Sequence, residues 1–252
     1  MPFTNRICKI TLIKLLLRFE MTETKPAPKE NALLNLLLNI VIPTLVLIYL
    51  SGEEYLGIKA AIVIALSFPL VYGLKEFIDT KKLNIFSIIG VISILLTGTM
   101  TLLELPPQYI AIKEAAIPGL FALITIISLR TRYPIVKVIL YNEKIMQVDK
   151  VTAALDQLGN QHAFERVLIN ASYLLAGSFI LSSILNYILA TVILVSEPGT
   201  EAFNAELGKM NALSFPIIAI PATAVMLFAL FYLFKQIKQL TQLDLDEILI
   251  QQ

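Results

Sequence analysis

The chain has 252 residues, 57% of them hydrophobic and 15% charged, with a net charge of +1 and a mean hydropathy of +0.77. A soluble domain carries about 25% charged residues, so this much apolar surface calls for a lipid bilayer as its solvent. Few, mixed charges exclude a nucleic-acid binder, which concentrates cations against phosphates.

A single cysteine, Cys8, leaves no internal disulfide, and a lone His162 near Asp149, Asp156 and Glu165 makes no metal-ligand cluster. No nucleotide, metal or nucleophile motif stands out, so the expectation is a protein with no catalytic residue, no cofactor and no metal, and not an enzyme.

Residues 1 to 30 hold Arg6, Lys9, Lys14, Arg18, Lys25 and Lys29 and read as a cytoplasmic N-terminal segment. The apolar run Ile10 to Phe19 is broken by Lys14 and lacks a small-residue cleavage site, unlike a signal peptide. Residues 1 to 20 read as an upstream extension ahead of a start at Met21, with a basic interfacial helix as the alternative.

Residues 31 to 252 read as one transmembrane domain. About 20 apolar helical residues cross a bilayer core, and uncharged runs of that kind lie at Asn31 to Leu50, Leu83 to Leu103, Val167 to Ser196 and Met210 to Phe234. A fifth span, Gly57 to Ile78, contains Lys59 and Lys75 near its ends, where long side chains reach the interface. In the sixth only about 15 uncharged residues separate Glu114 from Arg130, roughly 22 Å of helix, which puts Lys113 and Glu114 in or close to the hydrocarbon.

Cationic loops are retained on the cytoplasmic side. Taking alternate loops, one face keeps only Lys59, Lys113 and Lys209 of the 20 lysines and arginines, while Glu53, Glu54, Glu104, Glu114, Glu197, Glu201 and Glu206 crowd it. The fold expected is therefore all-α: a polytopic six-transmembrane-helix bundle with both termini cytoplasmic. Between helices 4 and 5 the cytoplasmic segment 130 to 166 carries Ile135, Val138, Ile139, Val151, Ala154, Leu155 and Leu158 at helical spacing, with Gly159 as a stop. It reads as one or two amphipathic helices along the membrane surface, or as a solvated connector. The tail 236 to 252 reads as a helical continuation leaving the membrane.

Three features inside the spans are candidate functional groups. Asn31, Asn35 and Asn39 recur every four residues ahead of Pro43 and share a helix face. Ser178, Ser182 and Asn186 repeat the pattern, as do Ser93, Thr97 and Thr101. Such stripes serve either interhelical hydrogen bonding or a hydrophilic path for a solute. Lys113 and Glu114 point about 100° apart on a helix, so they are not expected to neutralise each other. Glu104, across the short turn at Pro106 and Pro107, is the expected partner for Lys113, and an intramembrane ionisable residue is otherwise a functional group by default. Prolines at 43, 69, 118, 216 and 221 are expected to kink their helices.

The stretch LTGTMTLLELPPQYIAIKEAAIPGLFALI, Leu96 to Ile124, resembles a segment of the bacterial intracellular septation protein A family, in which a Gly-Thr-Leu turn, a short loop and an Ile-Lys motif followed by Pro enter a helix. LNYILA, Leu185 to Ala190, with the following FNAELGKMNALSF, is similar to that family's Leu-Asn-aromatic-Val-Ala helix and the loop after it. On this resemblance the family's lysine, proline and asparagine fall at Lys113, Pro118 and Asn186. The segment 130 to 166 and the absence of tryptophan depart from the family's pattern. The resemblance implies a bacterial inner-membrane protein of the cell envelope that works through contacts with other membrane proteins, or with itself, without catalysis. The alternative is a small-solute transporter or channel using the polar helix faces with Lys113 and Glu114.

Overall fold

A computed structural model describes residues 36–80, 85–130, 136–137, 141 and 146–250. The named elements among them are all helical: α1 (Leu37–Tyr49), α2 (Ile58–Thr80), α3 (Ile85–Leu102), α4 (Pro107–Ser128), α5 (Val148–Leu158), α6 (Gln161–Ile193), α7 (Glu201–Ser214), α8 (Ile220–Thr241) and the single turn α9 (Leu245–Ile248). The β pairing found among the described residues is one antiparallel bridge between Met146 and Leu249.

Among the described residues four helices are long and apolar enough to cross a membrane: Ile58–Lys75 within α2, all of α4, all of α6, and the continuous run Glu201–Thr241 that contains α7 and α8. The apolar stretches Leu37–Tyr49 and Ile88–Leu102 are shorter. The chain is a helical membrane protein. Two of the four, α6 and the α7–α8 run, coincide with the uncharged runs Val167 to Ser196 and Met210 to Phe234, whereas α2 and α4 are longer than the apolar stretches Leu37–Tyr49 and Ile88–Leu102 that fall in the uncharged runs Asn31 to Leu50 and Leu83 to Leu103. Charge-free runs track hydropathy, whereas helix length is set by where the chain is capped or broken. Helix α4 starts at Pro107, where a missing N–H costs nothing, and so takes Lys113 and Glu114 into its second turn. Helix α6 has 33 residues, about 50 Å, so Gln161 to Arg166 belong to the same rod as the apolar run.

The prolines act in two ways. Pro69 and Pro118 lie inside α2 and α4. Pro43 and Pro221 each follow a π-turn, Leu37–Val41 and Phe215–Ala219, closed by Ile42 N–H to Leu37 O and by Ile220 N–H to Phe215 O. A proline ring crowds the carbonyl one turn back and offers it no N–H. Widening that turn to i→i+5 bonding keeps the helix going.

The described residues divide into two compact units: those up to Ile110 with Val192–Ala212, and Ala111–Thr191 with Leu213–Gln252. In the second unit, Val136, Tyr141, Met146, Val151, Leu155, Phe164, Ala229, Leu233, Ile237 and Ile248 belong to one buried cluster. Helix α5 turns Val151 and Leu155 into it, so these apolar positions are covered by protein. Ile135, Val138 and Ile139 lie outside the described residues. Gly159 ends α5 as its sequence position suggests: it has φ +66, and Gly159 N–H to Asp156 O with Asn160 N–H to Leu155 O closes a Schellman turn. The tail is not a straight continuation of α8. That helix stops at Thr241, Gln242 adopts φ +58, and α9 returns to pack on α5 and α8.

In the first unit α1 crosses α7 at Gly208. A Cβ there would lie 3.0 Å from Ile48 Cγ1, 3.1 Å from the Thr44 carbonyl oxygen and 3.2 Å from Leu47 Cβ, so hydrogen alone lets the two backbones approach this closely. Gly177 in α6 has nothing within 4 Å of a built Cβ. The same change should therefore act in opposite directions at the two sites. Gly208→Ala is expected to lower stability by about 1–3 kcal/mol through overpacking, and Gly177→Ala to raise it by about 0.5–1 kcal/mol through helix propensity. Thermal unfolding of both purified variants checks this; equal effects would contradict the crossing.

Candidate functional site

The charged centre of the apolar helices is the pair on α4. Lys113 is 7% exposed and Glu114 26%, and Lys113 Nζ lies 2.5 Å from Glu114 Oε1. This corrects the expectation that neighbours on a helix cannot neutralise each other. The 100° between their Cα–Cβ bonds is spanned by the four-carbon lysine stem and the shorter glutamate, which fold toward one another where water is scarce. Desolvating either charge alone is expensive, and pairing is the nearest relief.

Glu104 Oε1 lies 3.6 Å from Lys59 Nζ, and both side chains are well exposed. Its backbone is the notable part. Glu104 has φ +54, with its N–H on Thr101 O and the Leu105 N–H on Met100 O. That is a Schellman ending of α3, with glutamate where glycine is usual. A Cβ on Gly199 (φ +79) would come within 2.7 Å of Glu104 Cδ, so Gly199 is what admits the glutamate side chain. The strained turn fixes Glu104 at the rim of the first unit, where the Lys59 contact is of the exposed, weak kind.

Several of the described stripe residues donate to carbonyls within the protein. Asn186 Nδ2 donates to Ser182 O at 2.8 Å on its own helix. Thr97 donates to Ser93 O at 3.1 Å and Thr101 to Thr97 O at 2.8 Å, both bonding back along α3. Between helices, Ser178 Oγ donates to Ala222 O at 2.7 Å and Ser183 Oγ to Ala115 O at 2.8 Å. Asn39 is half-buried on the π-turn ahead of Pro43, and Asn31 and Asn35 lie outside the described residues.

Two groups escape the stripe pattern. Ser183 sits beside the stripe of Ser178, Ser182 and Asn186, yet it makes the bond to α4, where Gly119 leaves room: a Cβ on Gly119 would lie 3.2 Å from Ser183 Oγ. Asn204 is fully buried and ties α7 to the α1–α2 turn, donating to Ser51 Oγ and to Ile58 O, each at 3.0 Å. Ser51 Oγ in turn donates a hydrogen bond to Leu47 O at 2.8 Å. The available signal is the spacing Asn204 and Gly208, one turn apart on the face that carries Leu207. Nearby, Glu206 fastens the loop after α6 by accepting the Val195 and Ser196 N–H groups at 2.9 Å each and the Ser196 hydroxyl at 2.6 Å.

Chemically the site offers a neutralised ion pair and hydroxyls already bonded to carbonyls, an arrangement suited to holding helices together. Removing one member of a buried pair strands the other at a cost of about 3–5 kcal/mol, whereas replacing both by apolar residues can be near neutral. Glu114→Leu and Lys113→Met are each expected to destabilise, and the double variant to return close to the parent. Unfolding in denaturant reads this out; additive losses would remove the coupling.

No protein-family model, curated protein or solved structure matches the chain. The apolar helices establish a membrane protein.

Proposed function

We propose that the chain is a non-enzymatic multi-pass protein of the bacterial inner membrane that serves the cell envelope through contacts with other membrane proteins, in the manner of the septation protein A family. The reading takes α1 and α3 as spans beside the four longer helices, giving six with both termini cytoplasmic. One observation carries it. Ser178, Ser183, Thr97, Thr101 and Asn186, the groups a solute path would need, donate to carbonyls of their own or a neighbouring helix. What remains to face outward is mostly apolar, including Ile180, Ile184, Ile188 and Val192 on α6, a surface that meets lipid or another helix.

The opposing reading, transport through Lys113 and Glu114, makes a different prediction for one variant. Lys113→Met/Glu114→Leu should reach the membrane in normal amount and restore the phenotype of a strain lacking the chain, because packing needs neutrality and not the charges. A double variant that accumulates normally yet fails to complement would favour transport. Orientation is checked by single cysteines on a Cys8→Ser background: Glu54→Cys and Glu201→Cys should react with an impermeant thiol reagent from outside. Asp149→Cys should react only after permeabilisation, and labelling of Asp149→Cys in intact cells would reverse the topology.

A further inference from the structure

Beyond α8 the chain doubles back and docks through a small set of contacts. Ile248 is fully buried in the second unit's cluster. The Gln147 N–H donates to Ile248 O at 2.8 Å and Gln147 Nε2 to Leu249 O at 3.2 Å. Met146 and Leu249 form the antiparallel bridge, and Lys150 Nζ meets Glu247 Oε1 at 3.0 Å. Asp244 and Glu247 cap α9 reciprocally.

None of these contacts requires that the tail belong to the same chain. Only the tether does, and it is two residues long: Gln242 and Leu243 separate Thr241 from the cap residue Asp244. Gln242 holds left-handed backbone, φ +58, a conformation that L-residues other than glycine adopt at a cost. Short connections under strain favour exchange of the element they tether.

We propose that the segment Asp244 to Ile250 is an exchangeable strap, which straightening of α8 through Gln242 carries into the α5–α8 groove of a second copy of this chain. The groove fits that occupant position by position. It offers a buried socket for an isoleucine, a cation for the glutamate preceding it, and an extended edge at Met146 and Gln147 for the residues after it. Exchange re-forms each of those contacts and releases the αL hinge; what it gives up is the tether's own Lys238–Asp244 pair, exposed on the surface, the bond from Leu243 N–H to Thr241 Oγ1 and the packing of Leu243 against the buried cluster. If each copy gives and receives a tail, the dimer is closed and two-fold symmetric.

The test uses full-length chains in membranes on a Cys8→Ser background. One copy carries Met146→Cys and a second, of different tagged size, carries Leu249→Cys. Cα atoms opposite one another on antiparallel strands are about 4.5–5.5 Å apart, within disulfide reach. Co-expression and mild oxidation should give a mixed-size disulfide dimer. Gln242→Gly, which relaxes the hinge in the docked form and weakens the straightened helix, should lower its yield about fivefold. Pairing Leu249→Cys with Glu165→Cys, exposed on α6, should give no dimer. The proposal is overturned if the single chain Met146→Cys/Leu249→Cys closes its own bridge while no mixed dimer forms, or if Glu165→Cys bridges as well as Met146→Cys. Absence of both the single-chain bridge and the mixed dimer would overturn the docked tail itself.

Discussion

Inside an apolar helix a polar side chain has no water to bond, and each one must find its partner within the protein. That constraint organises most of what distinguishes one helix from another here. Thr97, Thr101, Ser172, Thr125 and Asn186 donate to carbonyls three or four residues back on their own helices, which places their polarity on the rod that carries it. Ser178, Ser183 and Asn204 instead donate across to neighbouring segments and so fix which helices lie side by side. Lys113 and Glu114 obey the same rule with charge, each the other's nearest counterion.

Close approach and hydrogen bonding support one another at these crossings. Gly208 lets α1 and α7 meet, and Asn204, one turn earlier on α7, bonds the turn that follows α1. Gly119 and Ser183 stand in the same relation on α4 and α6. A small residue brings the backbone within range, and a hydroxyl or amide then bonds to a carbonyl or side chain of the neighbour. The two π-turns before Pro43 and Pro221 let the helices tolerate proline without leaving a backbone donor stranded.

Much of this was legible in the sequence, for physical reasons that differ by feature. Hydropathy over about 20 residues finds apolar helices because lipid tolerates little else, and Gly159 reads as a stop because few other residues take φ above zero cheaply. The polar stripes are visible as a four-residue period, but periodicity gives a face and not a partner, so Ser183 and Asn204 were hidden. Lys113 and Glu114 were visible as the anomaly in α4. Their mutual pairing was not, because helix geometry fixes the Cα–Cβ directions and says little of where flexible stems end. Glu104 at a left-handed helix end and the return of α9 depend on a backbone reversal at residues that ordinarily continue a helix, which no local preference announces.

The central claim, that the serine hydroxyls within the spans are satisfied by the protein and not by a water path, is tested most directly by solvent access to them. Single cysteines at Ser178 and Ser183, on a Cys8→Ser background in native membranes, would be exposed to a small water-soluble, membrane-impermeant thiol reagent from both sides. No labelling is expected at either position until the protein is unfolded. Rapid labelling of both in the folded protein would mean that water reaches the interior of these helices, and would contradict the claim.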